Sequence, residues 1–208
     1  VTVSGGGFAF NDLVGFHING PITAVGQTVE LRSGQAVTQA TTGGVTAQRL
    51  IGSSVGGAGF EAANQVAQLG DFTNTGGQLK LNNDRALVVD GAVRSTGSVA
   101  LASHGGMGFT ANGLIRADGA GDAVVLASDG VFTNGRGADA VVASSPAGRW
   151  LIYTQAAGDP TGSTAGNAFN GLAGKSYYGA AYDFSTGTFA ATPNAGNRFV
   201  YAYQPTLT

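Results

Sequence analysis

The segment Leu79-Lys80-Leu81 returns as Val99-Ala100-Leu101 and again as Val124-Val125-Leu126, so residues 76–143 hold three copies of one strand-and-turn unit. Glycine and asparagine fill the intervals between the apolar segments, and both tolerate the positive φ angles that turn a chain. One unit of this size cannot bury its own apolar face, whereas stacked copies build a continuous core. The pattern therefore predicts an all-β solenoid.

The same spacing predicts the length of the solenoid. Residues from about 14 to 145 would form roughly six turns of ~22 residues, and stacking at ~4.8 Å per turn gives a rod about 30 Å long. Parallel strands with a buried inner face are rich in Val, Leu, Ile and Phe, as these are. We expect Leu81, Leu101 and Leu126 to stack in one inward column.

One segment allows two interpretations. Phe60, Ala63, Val66 and Leu69 keep an i, i+3 rhythm that would suit a helix of two or three turns between flanking glycines. The rival is a pair of solenoid strands around Asn64, and we favour it because the segment leads directly into the repeats.

Composition and charge exclude several classes of protein. Glycine supplies 36 of 208 residues, but with five Pro and no G-X-Y period the chain is not collagen. Charged residues make up 11% and apolar residues 43%, the opposite of the balance in disordered chains. Ten scattered Lys and Arg and a net charge of −2 predict no nucleic-acid partner. The absence of Cys excludes disulfides, thiolate metal sites and cysteine nucleophiles.

Neither a membrane helix nor a signal peptide is predicted. No stretch approaches ~18 consecutive apolar residues. Val1 opens an apolar, glycine-rich segment that lacks a basic n-region. We expect a mature product or a piece of a longer protein.

A change in composition at Ser145-Pro146 predicts two regions, a shaft at 1–146 and an aromatic-rich β segment at 147–208. All six Tyr and the only Trp follow this point. Further strands are predicted at 149–153, 178–184 and 197–203, with linkers at 158–171 and 192–197. The last turn of a solenoid has unpaired backbone groups, so the aromatic segment is predicted to be a cap or a shoulder that covers them.

Two passages resemble the filamentous haemagglutinin-like adhesins, the large exoproteins of two-partner secretion in Gram-negative bacteria. The first is the string Leu50-Ile51-Gly52-Ser53-Ser54-Val55-Gly56-Gly57, followed by residues 63–74. The second joins Gly148-Arg149-Trp150-Leu151-Ile152-Tyr153 to residues 197–208. These passages are similar to the shaft repeats of that family and to the segment that closes the shaft.

The resemblance implies a right-handed parallel β-helix that is secreted through an outer-membrane transporter and displayed at the cell surface or released. It also implies host or bacterial surface glycans or proteins as partners, with self-association as a further possibility. The NPNG- and NPNL-type motifs of the family's secretion domain are absent from this sequence. The chain therefore resembles a distal part of such an exoprotein.

The only imidazoles belong to His17 and His104. Ser103-His104 invites comparison with a Ser-His-Asp triad, but neighbours on a strand point to opposite faces, so we interpret the pair as a structural turn. Two His without Cys predict no zinc site.

Carboxylates are the other candidates for chemistry, because β-helix lyases and hydrolases need them in clusters. The tightest group is Asp118 and Asp122, with Asp129 and Asp139 farther along, and stacking would bring Asp118 and Asp139 near Arg116. We interpret them as solvated turn residues, because calcium-binding solenoids iterate their motif and this chain does not. No cofactor, metal or catalytic residue is predicted.

Three further features carry structural interpretations. The loop 134–139 is an insertion and not an integrin-type tripeptide, and the glycine runs at 5–7 and 53–57 lack the Lys-Ser/Thr of a phosphate loop. The tyrosines either pack the cap, which we favour, or form a platform that stacks on sugars. Tyr177 and Tyr178 would then lie in a row that faces water.

The sequence thus predicts a non-enzymatic, extracellular structural or adhesive module, a stiff rod for cell adhesion or a biofilm matrix. A self-assembling filament subunit and a glycan-active β-helix enzyme are the alternatives.

Overall fold

The computed structural model describes residues 1–154, 166–193 and 195–203. These residues form strands and no helix, so none of them belongs to a helix long and apolar enough to cross a membrane. The twenty strands are β1 (Phe8–Asp12), β2 (Phe16–Ile18), β3 (Ile22–Ser33), β4 (Val37–Gln39), β5 (Val45–Ser54), β6 (Ala58–Asn74), β7 (Leu79–Asn83), β8 (Leu87–Val89), β9 (Ala92–Ser95), β10 (Val99–Ser103), β11 (Met107–Phe109), β12 (Leu114–Ala117), β13 (Gly121–Ser128), β14 (Phe132–Asn134), β15 (Val141–Ala143), β16 (Gly148–Thr154), β17 (Lys175–Tyr178), β18 (Tyr182–Asp183), β19 (Thr188–Phe189) and β20 (Arg198–Tyr201).

The strands stack in parallel into a β-solenoid of about nine turns, which confirms the predicted fold class. One side, here called the front face, stacks in the order β2, β4, the start of β6, β7, β10, β13, β16, β20 and β17. The back face contains β1, β3, β5 and the rest of β6, followed by the shorter strands β8, β9, β11, β12, β14 and β15.

The predicted inward column is confirmed. Leu101 is opposite Leu81 on one side and Leu126 on the other. All three side chains are at most 2% exposed. Because each turn places an equivalent side chain above the last, one apolar core runs through the rod.

The segment that allowed a helix is extended instead. β6 runs from Ala58 to Asn74, with its first residues on the front face and its later ones on the back face. Asn64 lies between these two parts and is fully buried. The predicted pair of strands around Asn64 is therefore confirmed.

The solenoid continues past residue 146. β16 pairs with β13 in parallel, and Trp150 belongs to the same core as the earlier turns. The last two front-face strands are out of sequence order, because β20 pairs with β16 and β17 pairs with the far side of β20. The regional division at 146 stays a prediction. Residues 158–165 and 194 of the predicted linkers, and residues 204–208 of the passage that resembles the end of the shaft, lie outside the described residues.

Aromatic side chains pack against one another in the interior at this end. Phe169 contacts Phe199 with ring centroids 4.0 Å apart, and Phe199 contacts Trp150 at 5.1 Å. Phe169 also stacks on Phe132 at 5.6 Å. These contacts join the C-terminal strands to the column of the shaft, as the cap hypothesis expects.

Between β17 and β20 the chain folds back along the outside of the rod. We call residues 179–193 the arm, and its two short strands β18 and β19 form an antiparallel hairpin. The arm covers a second apolar cluster, which is formed by outward-facing side chains of β10, β13, β16 and β20. Residues 179–193 thus lie beside the shaft, while the roles of cap and shoulder for the whole aromatic segment stay predictions.

Candidate functional site

The predicted turn residue Ser103 has a structural role in the interior. Its side chain is fully buried, and its hydroxyl donates to the carbonyl of Arg85 at 2.8 Å, with the Gly106 carbonyl at 3.0 Å. His104 points outward, where its Nε2 is 3.7 Å from Asp84 and its ring contacts Phe184. The hydroxyl and the imidazole have separate partners, so the geometry gives no Ser-His-Asp triad.

Ser103 belongs to a column of buried polar side chains that the sequence analysis missed. In register along the front face, Asn64 lies opposite Asn83, Asn83 opposite Ser103 and Ser103 opposite Ser128. Asn64 accepts from the amide of Val45 at 2.9 Å and donates to backbone carbonyls. These side chains satisfy buried backbone groups where the coil turns from one face to the next.

A second polar column follows the end of the back-face strands. Ser54 donates to Asn74 at 2.9 Å, and Asn74 donates to Ser95 at 3.0 Å. The sequence signal for both columns is a polar residue at the end of an apolar strand in turn after turn.

The candidate carboxylates do not converge. Asp118 accepts from Arg116 at 3.3 Å, Asp122 from Arg149 at 2.6 Å and Asp139 from Arg136 at 2.7 Å. Among the described residues, no three His, Asp or Glu side chains lie close enough together to hold a metal ion. His17 is elsewhere, where its Nδ1 is 2.8 Å from the hydroxyl of Thr38.

One carboxylate on the back face is electrostatically distinct. Asp90 accepts hydrogen bonds from Arg49 and from the Thr110 hydroxyl, the latter at 2.8 Å. The hydrogen bond from Arg49, followed by that from Thr110, holds the pKa of Asp90 below its ordinary value of 3.8. The three residues lie on the turns of β5, β8–β9 and β11–β12, so the hydrogen bond from Arg49 to Asp90 crosses the β6 turn between them.

The most site-like feature is a groove between the arm and the front face. Its cavity measures about 420 Å³. Its floor includes Lys80, Ala100 and Val125, which occupy one outward register column across β7, β10 and β13. The opposite wall includes Tyr182, Phe184 and Phe189 of the arm. We call this feature the arm groove.

The arm wall is held in place by local hydrogen bonds. Asp183 accepts from the amide and hydroxyl of Ser185, and the hydroxyl contact leads the interactions that lower the pKa of Asp183. Gly187, with a φ of 68°, donates its amide to the carbonyl of Asp183 at 2.9 Å. The tight turn needs this left-handed backbone, which favours glycine.

Longer contacts fix the arm to the rod. Arg149, whose Nε binds Asp122, also donates to the Thr192 hydroxyl at 3.0 Å and to the carbonyl of Pro193. The hydroxyl of Tyr153 donates to the carbonyl of Ala190 at 3.0 Å. Burial is the main cause that raises the pKa of Tyr153 well above its ordinary value.

The two interpretations of the tyrosines each find some support in particular rings. Trp150, Tyr153 and Tyr201 are buried, as packing of a cap requires. Tyr178 is 37% exposed and stacks on Tyr201 with centroids 5.3 Å apart. The exposed aromatic surface of the arm groove was not predicted, because only the folded-back arm creates it.

Geometry thus defines the class of the molecule, a parallel β-solenoid with a folded-back arm. Comparison with family models, curated proteins and solved structures finds no match to this chain.

Proposed function

We propose that this chain is a non-enzymatic, extracellular structural or adhesive module of a large bacterial surface exoprotein. The observation that carries the proposal is the uninterrupted stack of parallel turns around one core. Hydrogen bonds between turns run along the rod axis, so such a stack resists bending and presents side surfaces at a distance from its anchor. The resemblance to filamentous haemagglutinin-like shafts supports the same role.

The resemblance also supports the proposed location outside the outer membrane and export through an outer-membrane transporter. Surface glycans or proteins of a host or of neighbouring bacteria would then be the partners. Separate arginine partners for Asp118, Asp122 and Asp139 favour binding over glycan cleavage, because glycoside hydrolysis uses a facing pair of carboxyl groups.

An adhesion assay tests the proposal. Beads coated with the purified chain should adhere to bacterial or epithelial cells more strongly than beads coated with an unrelated protein of equal charge. The same preparation should release neither reducing ends nor unsaturated sugars from bacterial and host polysaccharides. Background adhesion together with steady release of sugar would overturn the proposal in favour of an enzyme.

A filament subunit is the second candidate, and one observation favours it. Among the described strands, β17 pairs only with β20, so its other edge has no strand partner there. An unpaired edge can recruit a strand from another chain. Fibres formed by pure protein at neutral pH, seen by electron microscopy, would support this role.

A further inference from the structure

We propose that the arm groove binds an uncharged oligosaccharide, an inference that rests on the proposed adhesive function and gives it a ligand class. The groove lies outside the solenoid core, between the front face and the arm. Its volume of about 420 Å³ falls within the range of ~300–1,000 Å³ typical of small-molecule sites.

The aromatic wall supplies the first element of sugar recognition. Tyr182, Phe184 and Phe189 all line the groove, and Tyr182 and Phe184 contact each other with centroids 4.8 Å apart. Phe189 is 39% exposed although its ring also packs on Tyr153. A ring that is anchored on one side and open on the other suits the apolar face of a sugar.

Amide side chains supply the second element. Gln78 and Asn82 line the groove from the rod side. No hydrogen bond of either side amide to another described residue is present, in contrast to the fully bonded buried amides of Asn64 and Asn83. Each amide offers both a donor and an acceptor, which is what a sugar hydroxyl needs.

The charge of the groove selects a neutral ligand. Glu61 and Lys80 are the two ionic side chains among the described lining residues, and they pair with each other at 3.4 Å. Their charges cancel, so the groove attracts neither anions nor cations strongly. Because Glu61 is a lone carboxylate there, the groove lacks the second carboxyl group with which glycosidases cleave a bond.

The length of the groove floor indicates an oligosaccharide ligand longer than one sugar ring. Lys80, Ala100 and Val125 follow one another in register along the rod. Three stacked strands span roughly 10 Å. Val125 is 4% exposed and closes one end of the floor under the arm, so a ligand would lie over Lys80 and Ala100 with its hydroxyls near Asn82.

Calorimetry with the 208-residue chain tests the proposal against chitobiose, cellobiose, maltose and lactose, with sialyllactose and a heparin disaccharide as charged comparators. We expect at least one uncharged sugar to bind and the charged ones to bind no better. Phe189→Ala should weaken that binding about tenfold through the lost stacking surface. Asn82→Ala should weaken it about fivefold through a lost hydrogen bond.

Matched variants control for folding and for general surface changes. Phe10→Ala removes a phenylalanine that is 41% exposed on β1, and Asn112→Ala removes an exposed amide in a back-face turn. Both should bind sugar like the wild type, and all four variants should keep the wild-type circular dichroism spectrum. The proposal is overturned if no uncharged sugar binds, or if folded Asn82→Ala and Phe189→Ala both bind it with unchanged affinity.

The two proposals fail in different ways. If the chain adheres to cells but binds no uncharged sugar, the proposed sugar site in the arm groove is wrong and the adhesive role is retained. A chain that binds sugar in the groove, but whose coated beads do not adhere, would support the groove and overturn the adhesive role.

Discussion

At the scale of single residues, Leu101 shows how the rod is stabilised. It is 1% exposed and sits between Leu81 and Leu126 in the inward column. Leu101→Ala should lower the free energy of unfolding by ~2–5 kcal/mol, because it removes buried apolar surface and leaves a cavity. Denaturant titration measures the change.

Leu13 provides the matched control for this substitution. It is 86% exposed, so Leu13→Ala should change the stability by less than ~0.5 kcal/mol. Equal losses in the two variants would contradict the role of the column.

The Asp90 cluster makes a prediction about acid stability. The pKa of Asp90 in the folded chain lies below the ordinary value of 3.8, chiefly because Arg49 donates to it. The cluster therefore stabilises the folded chain above pH 3.8, and this contribution is lost as the pH falls through the lowered pKa. Asp90→Asn should be less stable than the wild type at pH 7, and the gap should narrow in acid.

Unfolding titrations at pH 7 and pH 3 measure that gap. Asp118→Asn is the control, because Asp118 belongs to an exposed ion pair with Arg116 and such pairs add little stability. A gap for Asp90→Asn that stays constant with pH would contradict the assigned linkage.

Residue patterns predicted the inward column but not the buried polar columns. Leu81, Leu101 and Leu126 are apolar residues at equivalent positions of the repeats. Because burial of apolar surface is favourable, this recurrence predicts that they face the core. Asn83 and Ser103 recur as well, but a polar residue at a strand end suits an exposed turn equally. Only the folded backbone shows that Val66 and Arg85 direct amide or carbonyl groups at them.

At the scale of elements, the arm explains why several front-face strands are apolar on both sides. β10, β13 and β16 lack the alternation of a half-exposed strand, and residues such as Ala127 and Leu151 are fully buried under the arm. Continuous apolar runs are typical of strands that are covered on both faces. The sequence therefore contained a signal for a covering element, but nothing local identified residues 179–193 as that element.

The buried tyrosines of the arm and of the last front-face strands also predict alkaline instability. Burial is the leading cause that raises the pKa values of Tyr153, Tyr182 and Tyr201 above the ordinary 10.0. Above pH 10 the unfolded chain ionises first, so the free energy of unfolding should fall as the pH rises. The fall should be shallower for Tyr153→Phe, which removes one such group.

Phenolate absorbance and circular dichroism, followed together from pH 8 to pH 12, measure this effect. Tyr203 is 59% exposed, so Tyr203→Phe should leave the steepness of the fall unchanged. If the free energy of unfolding of Tyr153→Phe fell with pH as steeply as that of the wild type, burial of Tyr153 would not cause the alkaline instability.

At the scale of the whole molecule, the parallel stack followed from the repeats, whereas the particular contacts at its C-terminal end did not. Repeats specify the contacts between neighbouring turns, which is why about nine turns can be understood from three quoted copies. The end depends on non-local contacts such as Trp150 with Phe199, which no local pattern encodes.

Removing residues 147–208 tests the predicted cap. The shortened chain exposes the edge of β13 and the outward side chains Val125 and Ala127 that the arm covers. We expect lower solubility and end-to-end oligomers or fibres, because an uncovered edge recruits other strands. Size-exclusion chromatography with light scattering, beside the full chain at equal concentration, measures the difference. A monomer with unchanged melting temperature would show that 147–208 is an independent module.

The inverted order of the last strands governs how the rod is completed. A solenoid can fold one turn at a time during synthesis, because each new strand pairs with a strand of the turn before it. β17 is an exception, because its partner β20 comes later in the sequence. In the folded chain β20 lies between β16 and β17. We therefore expect the last turns to form only after residues 198–201 have been made. The C-terminal end of the rod should therefore fold last, after β20 has been synthesised.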